Sequence, residues 1–143
     1  MSKFFSGFLV IFLSVLLISC GSNVKTIMIT PVGNEMKYEV SEFEVNAGET
    51  VKLVMKNTAT AKMMKHNVVI LNDKNAVDRV GRAALTAPDY LPKDDAIIVA
   101  TPMAGAGETT EVEFVAPQEV GEYVYICTFP GHYMVMKGVM RVL

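Results

Sequence analysis

This chain of 143 residues has little cysteine and histidine, with two residues of each, and it has no tryptophan. Two cysteines exclude a framework of several disulfides. Runs of basic residues are also missing and the formal net charge is −2 at pH 7, so the charge pattern does not favour binding to nucleic acid. The apolar content of 51% instead suits one globular domain.

The one long apolar run lies at the start of the chain, from Phe4 to Ile18, after the single basic residue Lys3. This layout is typical of a secretory signal and is too short for a comfortable spanning helix. The ending "LISC" before Gly21 resembles the lipobox of bacterial lipoproteins, which are cut before a cysteine that carries diacylglycerol. The alternatives are a plain signal peptide and a short uncleaved anchor.

From this pattern we expect a signal peptide over residues 1–19, a short tether over residues 20–24 and one domain over residues 25–143. The protein would be exported to the bacterial periplasm or cell surface and held to a membrane through lipid on Cys20. Lipidation of Cys20 would leave Cys127 without a disulfide partner. An unpaired exported thiol needs an explanation, either metal ligation or burial as an inert apolar residue.

Short segments with alternating apolar residues follow one another along the domain. In "TVKLVMK", for example, Val51, Leu53 and Met55 alternate with polar residues, the pattern of a half-buried strand. Before it, "MKYEVSEFEV" changes phase near Ser41, which predicts a β-bulge. Helical spacing appears once, in "NAVDRVGRAAL". These features predict an all-β, two-sheet antiparallel Greek-key sandwich of about eight strands with one short helical insertion.

The stretch "CTFPGHYMVM" carries a thiol, an imidazole and a thioether at Cys127, His132 and Met136, directly after a predicted strand. His66 lies some sixty residues earlier, at the start of another strand. Two imidazoles, a thiolate and a weak axial thioether are the donors of a blue-copper electron-transfer site. Structural zinc normally takes four cysteines or histidines. A nucleophilic Cys–His pair would need an orienting residue and an oxyanion site, for which no candidate stands out.

The sequence is similar to the cupredoxins, and among them to the azurins. The resemblance extends from "FEVNAGETVKLVMKN" through "MKHNVVI" and "DYLPKDDAIIVATPMAGAGE" to "CTFPGHYMVMKG", which is nearly the whole domain. The spacing C-x4-H-x3-M is the one that azurins use, whereas plastocyanins and amicyanins have shorter intervals between cysteine and histidine. The cofactor implied by this resemblance is one type 1 copper that cycles between Cu(I) and Cu(II).

The resemblance also implies a role for each residue around the metal. The in-plane ligands would be His66, Cys127 and His132, and Met136 would be the axial ligand. The backbone amides of Asn67 and Phe129 would donate to the cysteine sulfur, and Asn67 would tie its strand to the ligand loop through Thr128. An apolar surface for docking redox partners would surround His132, and it would consist of Met64, Pro130, Gly131 and Met134.

Three features depart from the azurin pattern. Lys65 replaces the glycine before the first ligand histidine, so a carbonyl ligand from this position is not assigned. Val68 replaces a buried tryptophan, and the azurin disulfide is absent.

The function expected from this site is transfer of single electrons between extracytoplasmic redox partners, such as c-type cytochromes or copper or haem reductases. The protein would not be an enzyme by itself. The alternative is a periplasmic copper chaperone or copper-storage protein, since Met63, Met64 and Met134 would supply further thioethers.

Overall fold

The computed structural model describes residues 24–143, so the predictions for the signal peptide and for Cys20 lie outside the described residues. Three short 3₁₀ turns, at Lys74–Ala76, Pro88–Tyr90 and His132–Met134, accompany the main elements. The helix is α1 (Val77–Ala84), and the strands are β1 (Lys25–Ile29), β2 (Glu42–Val45), β3 (Thr50–Lys56), β4 (Val69–Leu71), β5 (Ile97–Ala100), β6 (Thr109–Val115), β7 (Gly121–Ile126) and β8 (Lys137–Val142).

The strands form the predicted all-β, two-sheet sandwich. One sheet has the order β1-β3-β6, and the other has the order β2-β8-β7-β4-β5. Four of the six strand pairings are antiparallel, whereas β1–β3 and β2–β8 are parallel. These two pairings differ from the antiparallel expectation. In the first case the intervening β2 belongs to the other sheet, so the chain crosses the sandwich and returns instead of forming a hairpin.

The same crossing explains the change of phase that the sequence shows near Ser41. Tyr38 forms an isolated antiparallel bridge with Pro31, and the next strand begins only at Glu42, where it pairs with β8. The prediction of a bulge within one continuous strand is therefore wrong. Tyr38 and Phe43 both face the core because the chain changes partners between them.

The main core lies between the sheets. Val51, Leu53 and Met55 of β3 are fully buried there, as their alternation predicts, and Tyr125 and Met140 face them from the other sheet. Burial of one such aliphatic side chain contributes about 1.5–3 kcal/mol to stability. This core fixes the relative positions of β4 and β7, the two strands that lie next to the candidate ligands.

The predicted helix is present as α1, and it covers the outer face of the larger sheet. Its residues Val80 and Ala84 are buried, and Val80 belongs to a second apolar cluster with Ile126 and Tyr133. The Tyr133 hydroxyl donates to the Asp78 carboxylate at 3.3 Å. Helix α1 thus supports the turn that contains His132. Among the described residues, no helix is long and apolar enough to cross a membrane.

Helix α1 packs so closely on this turn that a Cβ atom at Gly81 would overlap the ring of Tyr133. We therefore expect Gly81→Ala to lower the free energy of unfolding by about 1–3 kcal/mol, as overpacking does. Helix propensity alone would raise it by about 1 kcal/mol. Denaturant unfolding of the metal-free protein measures the difference. Ala83→Gly, at an exposed position of the same helix, isolates the propensity term, and a stabilised Gly81→Ala variant would contradict the packing argument.

Candidate metal centre

Two hydrogen bonds with Ala104 hold the backbone of His66 in place. The backbone N–H of His66 donates to the Ala104 carbonyl at 3.0 Å, and the His66 carbonyl accepts from the Ala104 N–H at 2.8 Å. The Asn57 side chain then donates to the carbonyls of Met64 and Ala104, at 2.8 and 3.0 Å. This network fixes the backbone of the segment before β4, from which the His66 side chain projects.

Cys127, His132 and Met136 lie in a loop that is closed by its own backbone. The N–H of Cys127 donates to the Met136 carbonyl at 3.1 Å, and the N–H of Met136 donates to the His132 carbonyl at 2.8 Å. The His132 N–H in turn donates to the Phe129 carbonyl at 3.0 Å. Gly131 adopts a φ of 81°, which favours glycine and allows the tight turn before His132.

The structure brings the Cys127 sulfur and both imidazoles together. The sulfur lies 3.8 Å from Nδ1 of His66 and 3.6 Å from Nδ1 of His132. One ligand atom from each of the three residues lies within 4.8 Å of the others, and all three residues are buried. Across residues 24–143, they are the one group of histidine, cysteine and acidic residues arranged to hold a metal ion. Met136 is fully buried in the same core cluster as Cys127.

Asn67 joins the two distant segments that carry the first ligand and the thiol. Its side-chain amide donates to the Thr128 hydroxyl at 2.8 Å, and its side-chain oxygen accepts from the Thr128 N–H at 2.8 Å. Both residues are buried. The paired hydrogen bonds place His66 and Cys127 side by side although they are far apart in sequence.

The electrostatics of the centre favour neutral donors in the absence of metal. Burial, with a contribution from His132, lowers the pKa of His66 to about 4. Burial also lowers the pKa of His132. Burial raises the pKa of the Cys127 thiol to about 11, although the backbone N–H groups of Asn67 and Phe129 donate to its sulfur and oppose this rise. At neutral pH, the imidazoles are ready to ligate, and the thiol must lose its proton first.

These donors fit copper better than other common metals. Two imidazole nitrogens and one sulfur converge in a buried space, and the thioether-bearing Met136 shares their loop and core. Thiolate and thioether favour Cu(I), while imidazole suits both oxidation states. Zinc prefers a fourth ligand from cysteine, histidine or a carboxylate to the thioether of a methionine. The described residues place no additional histidine, cysteine or carboxylate in this group.

The residues assigned to the docking surface differ in their exposure. Met134 is 59% exposed, whereas Met64, Pro130 and Gly131 are half-buried. Val135, which was not part of the predicted surface, is 61% exposed. Lys65 is exposed beside His66, and Val68 is fully buried at the position of the missing tryptophan.

Two aromatic residues near the centre, Tyr90 and Tyr38, were not predicted from the sequence. Tyr90 packs edge-on against Phe129, and Phe129 packs edge-on against the ring of His132, with ring centroids 5.3 and 4.9 Å apart. Tyr38 donates its hydroxyl proton to the Asn67 carbonyl at 2.6 Å. The sequence offers only a general indication of the Tyr38 contact, because a buried tyrosine usually has a hydrogen-bond partner but the sequence does not identify that partner.

Comparison with known proteins agrees with this site. The family model for copper-binding proteins of the plastocyanin/azurin family matches residues 25–143. Auracyanin-A of Chloroflexus aurantiacus is 39% identical over 82% of this chain and 74% of its own length. Its solved structure, described as a "blue" copper protein, has a TM-score of 0.76 at 38% identity and covers 82% of this chain and 98% of its own. Azurin-1 of Alcaligenes xylosoxydans xylosoxydans is 36% identical over 78% of this chain and 93% of its own.

The pKa shifts predict the proton balance of metal uptake. Between about pH 7 and 9, binding of one Cu(II) should release about one proton, from Cys127, because both histidines are already neutral. Calorimetric titration in two buffers with different ionisation enthalpies measures this number. Release of no proton would mean a thiolate in the metal-free protein, and release of two or more would mean charged histidines.

Proposed function

The chain belongs to the plastocyanin/azurin family of copper-binding proteins, and from this premise we propose that it carries single electrons between redox partners outside the cytoplasm. The observation that carries the proposal is the buried convergence of His66, Cys127 and His132, whose ligand atoms lie within 4.8 Å of one another. Copper bound there supplies the one-electron couple between Cu(I) and Cu(II).

The residues of the site suit repeated electron transfer because they are positioned in advance. His66 is fixed by its backbone pair with Ala104, and Cys127 by the bond from its N–H to the Met136 carbonyl. The hydrogen bonds between Asn67 and Thr128 then hold the two segments together. Donors that need not move when charge changes keep the reorganisation small, which supports fast exchange of electrons.

Access to the centre is through His132. This residue is only 4% exposed, and it lies in the loop that also carries the exposed side chains of Met134 and Val135. An apolar surface over a nearly buried ligand suits brief contacts, since transient redox interfaces are small, usually below about 1,200 Å² in total. We propose that partners such as c-type cytochromes or copper or haem reductases dock on this surface.

The strand register is consistent with membrane attachment through Cys20. Lys25 pairs with Val51 near the start of β3, whereas Met55 near its end precedes Asn57, which contacts the site segments. The described chain therefore begins at the end of the sandwich away from the ligands. A lipid on Cys20 would hold that end near the membrane and leave the surface around His132 free for partners.

A copper chaperone uses similar donors for a different purpose, and the two functions differ in what happens to the metal. Here Cys127 and Met136 are fully buried, and the ligand loop is closed by backbone hydrogen bonds. Such a site opposes rapid transfer of metal to an acceptor. The exposed Met63 and Met134 are the features that a chaperone function would use.

The optical spectrum of the copper-loaded domain, together with its electron self-exchange rate, tests the proposal. We expect an intense blue thiolate-to-Cu(II) band, reversible reduction and retention of copper against a Cu(I) chelator. The Cys127→Ser variant should lose the band and the reversible couple, yet keep its β-sheet circular dichroism, because an apolar core of many side chains holds the two sheets together. A colourless protein that hands Cu(I) to an acceptor would instead support the chaperone.

Met136 would supply a thioether to the copper, and its replacement should tune the site most selectively, because a thioether would bind weakly and mainly adjust the potential. Met136→Leu removes a donor that stabilises Cu(II) and should raise the reduction potential. Met136→Gln offers a harder oxygen donor and should lower it. For a one-electron couple about 59 mV corresponds to about 1.4 kcal/mol, so voltammetry resolves modest effects. Shifts of the same sign in both variants would remove Met136 from the ligand set.

A further inference from the structure

We propose that Tyr38 is a positioning residue for the metal centre and that it acts through Asn67. Its hydroxyl donates to the Asn67 carbonyl at 2.6 Å, across a sequence separation of 29 residues, and the contact is buried. The inference deepens the proposed function, because it concerns how the protein sets the properties of the same site. Tyr38 itself is not one of the candidate ligands.

Tyr38 would influence the metal centre through Asn67, because each of the four polar groups of Asn67 has a hydrogen-bond partner. Its backbone N–H donates to the Cys127 sulfur, and its carbonyl accepts from Tyr38. Its side-chain oxygen and nitrogen form the pair of bonds with Thr128. Asn67 therefore ties three parts of the chain together: the segment that holds Tyr38, the segment before β4 and the start of the ligand loop.

The Tyr38 hydroxyl matters because the carbonyl that it meets is sealed from solvent. Asn67 and Tyr38 are each only 1% exposed. A buried carbonyl that loses its donor is unfavourable, so the peptide shifts toward any other partner. This carbonyl belongs to the peptide between Asn67 and Val68, which is joined through the Asn67 Cα to the peptide that carries the Asn67 N–H. A shift of the first peptide therefore changes the position of the N–H that donates to Cys127. Loss of the Tyr38 hydroxyl should thus loosen the contact at the sulfur.

The charge on the cysteine sulfur determines the direction in which the reduction potential should change. An N–H donor withdraws negative charge from the cysteine sulfur, and this favours the reduced state, in which less charge passes from sulfur to metal. A weaker contact from Asn67 leaves more charge on the sulfur. The oxidised state then gains stability, and the reduction potential falls.

A second buried tyrosine provides a matched control. Tyr125 packs against Tyr38 with ring centroids 5.3 Å apart, and both side chains are fully or almost fully buried. The Tyr125 hydroxyl, however, donates to the carbonyl of Val40, which has no contact with the ligands or with Asn67 among the hydrogen bonds of the described residues. Tyr125→Phe therefore removes a buried hydroxyl from the same core without touching the path through Asn67.

The experiment compares Tyr38→Phe with Tyr125→Phe in two states of the protein. In the metal-free state, hydrogen exchange followed by NMR reports the Asn67 amide, and we expect it to exchange about tenfold faster in Tyr38→Phe than in Tyr125→Phe. In the copper-loaded state, voltammetry should show a lower potential for Tyr38→Phe and an unchanged potential for Tyr125→Phe. A purely structural role for Tyr38 would change unfolding in both variants and the potential in neither.

Two results would overturn the proposal: an unchanged Asn67 amide and potential in Tyr38→Phe, or equal shifts in the two variants. Failure of the proposed function would look different. If the wild-type protein showed no reversible couple, electron transfer would be excluded, while the exchange rate of the Asn67 amide in the metal-free protein would still decide whether Tyr38 positions Asn67.

Discussion

Two hydrogen bonds between the side chain of Asn67 and Thr128 bring together parts of the chain that are 61 residues apart. They are buried, so water does not compete with them, and each satisfies a polar group that would be costly to leave unpaired. Because His66 and Cys127 are the immediate neighbours of these two residues, the geometry of the metal centre depends on this junction. The antiparallel pairing of β4 with β7 sets the register of the two strands, and the junction extends their contact to the residues beside the ligands.

The other two candidate ligands, His132 and Met136, are positioned by local hydrogen bonds between backbone groups. The loop from Cys127 to Met136 closes on itself through four main-chain hydrogen bonds, and Gly131 allows the turn that they require. Helix α1 then supports this loop from outside, since Gly81 lets the ring of Tyr133 approach the helix closely. The ligand loop is thus held by its own backbone and by the packing of helix α1.

The protonation states of the candidate ligands follow from their burial. Exclusion of water keeps His66 and His132 neutral and the Cys127 thiol protonated, so the site is ready for a metal that can displace one proton. The backbone N–H groups at the sulfur moderate this effect. Through them, residues that never approach the metal, such as Tyr38, gain an influence on its potential.

The sequence by itself determined the class of the fold and the identity of the donors. Period-two alternation in β3 predicted its buried face, and helical spacing predicted α1, because these patterns are local. The donor types of His66, Cys127, His132 and Met136, together with the resemblance to the azurins, indicated copper. Only the tertiary structure decided the parallel pairing of β1 with β3, the crossing of the chain after Tyr38, and the partner of the Tyr38 hydroxyl. Each of these depends on which distant segments meet across the core, and a pattern along one strand carries no record of the segment that will lie opposite it.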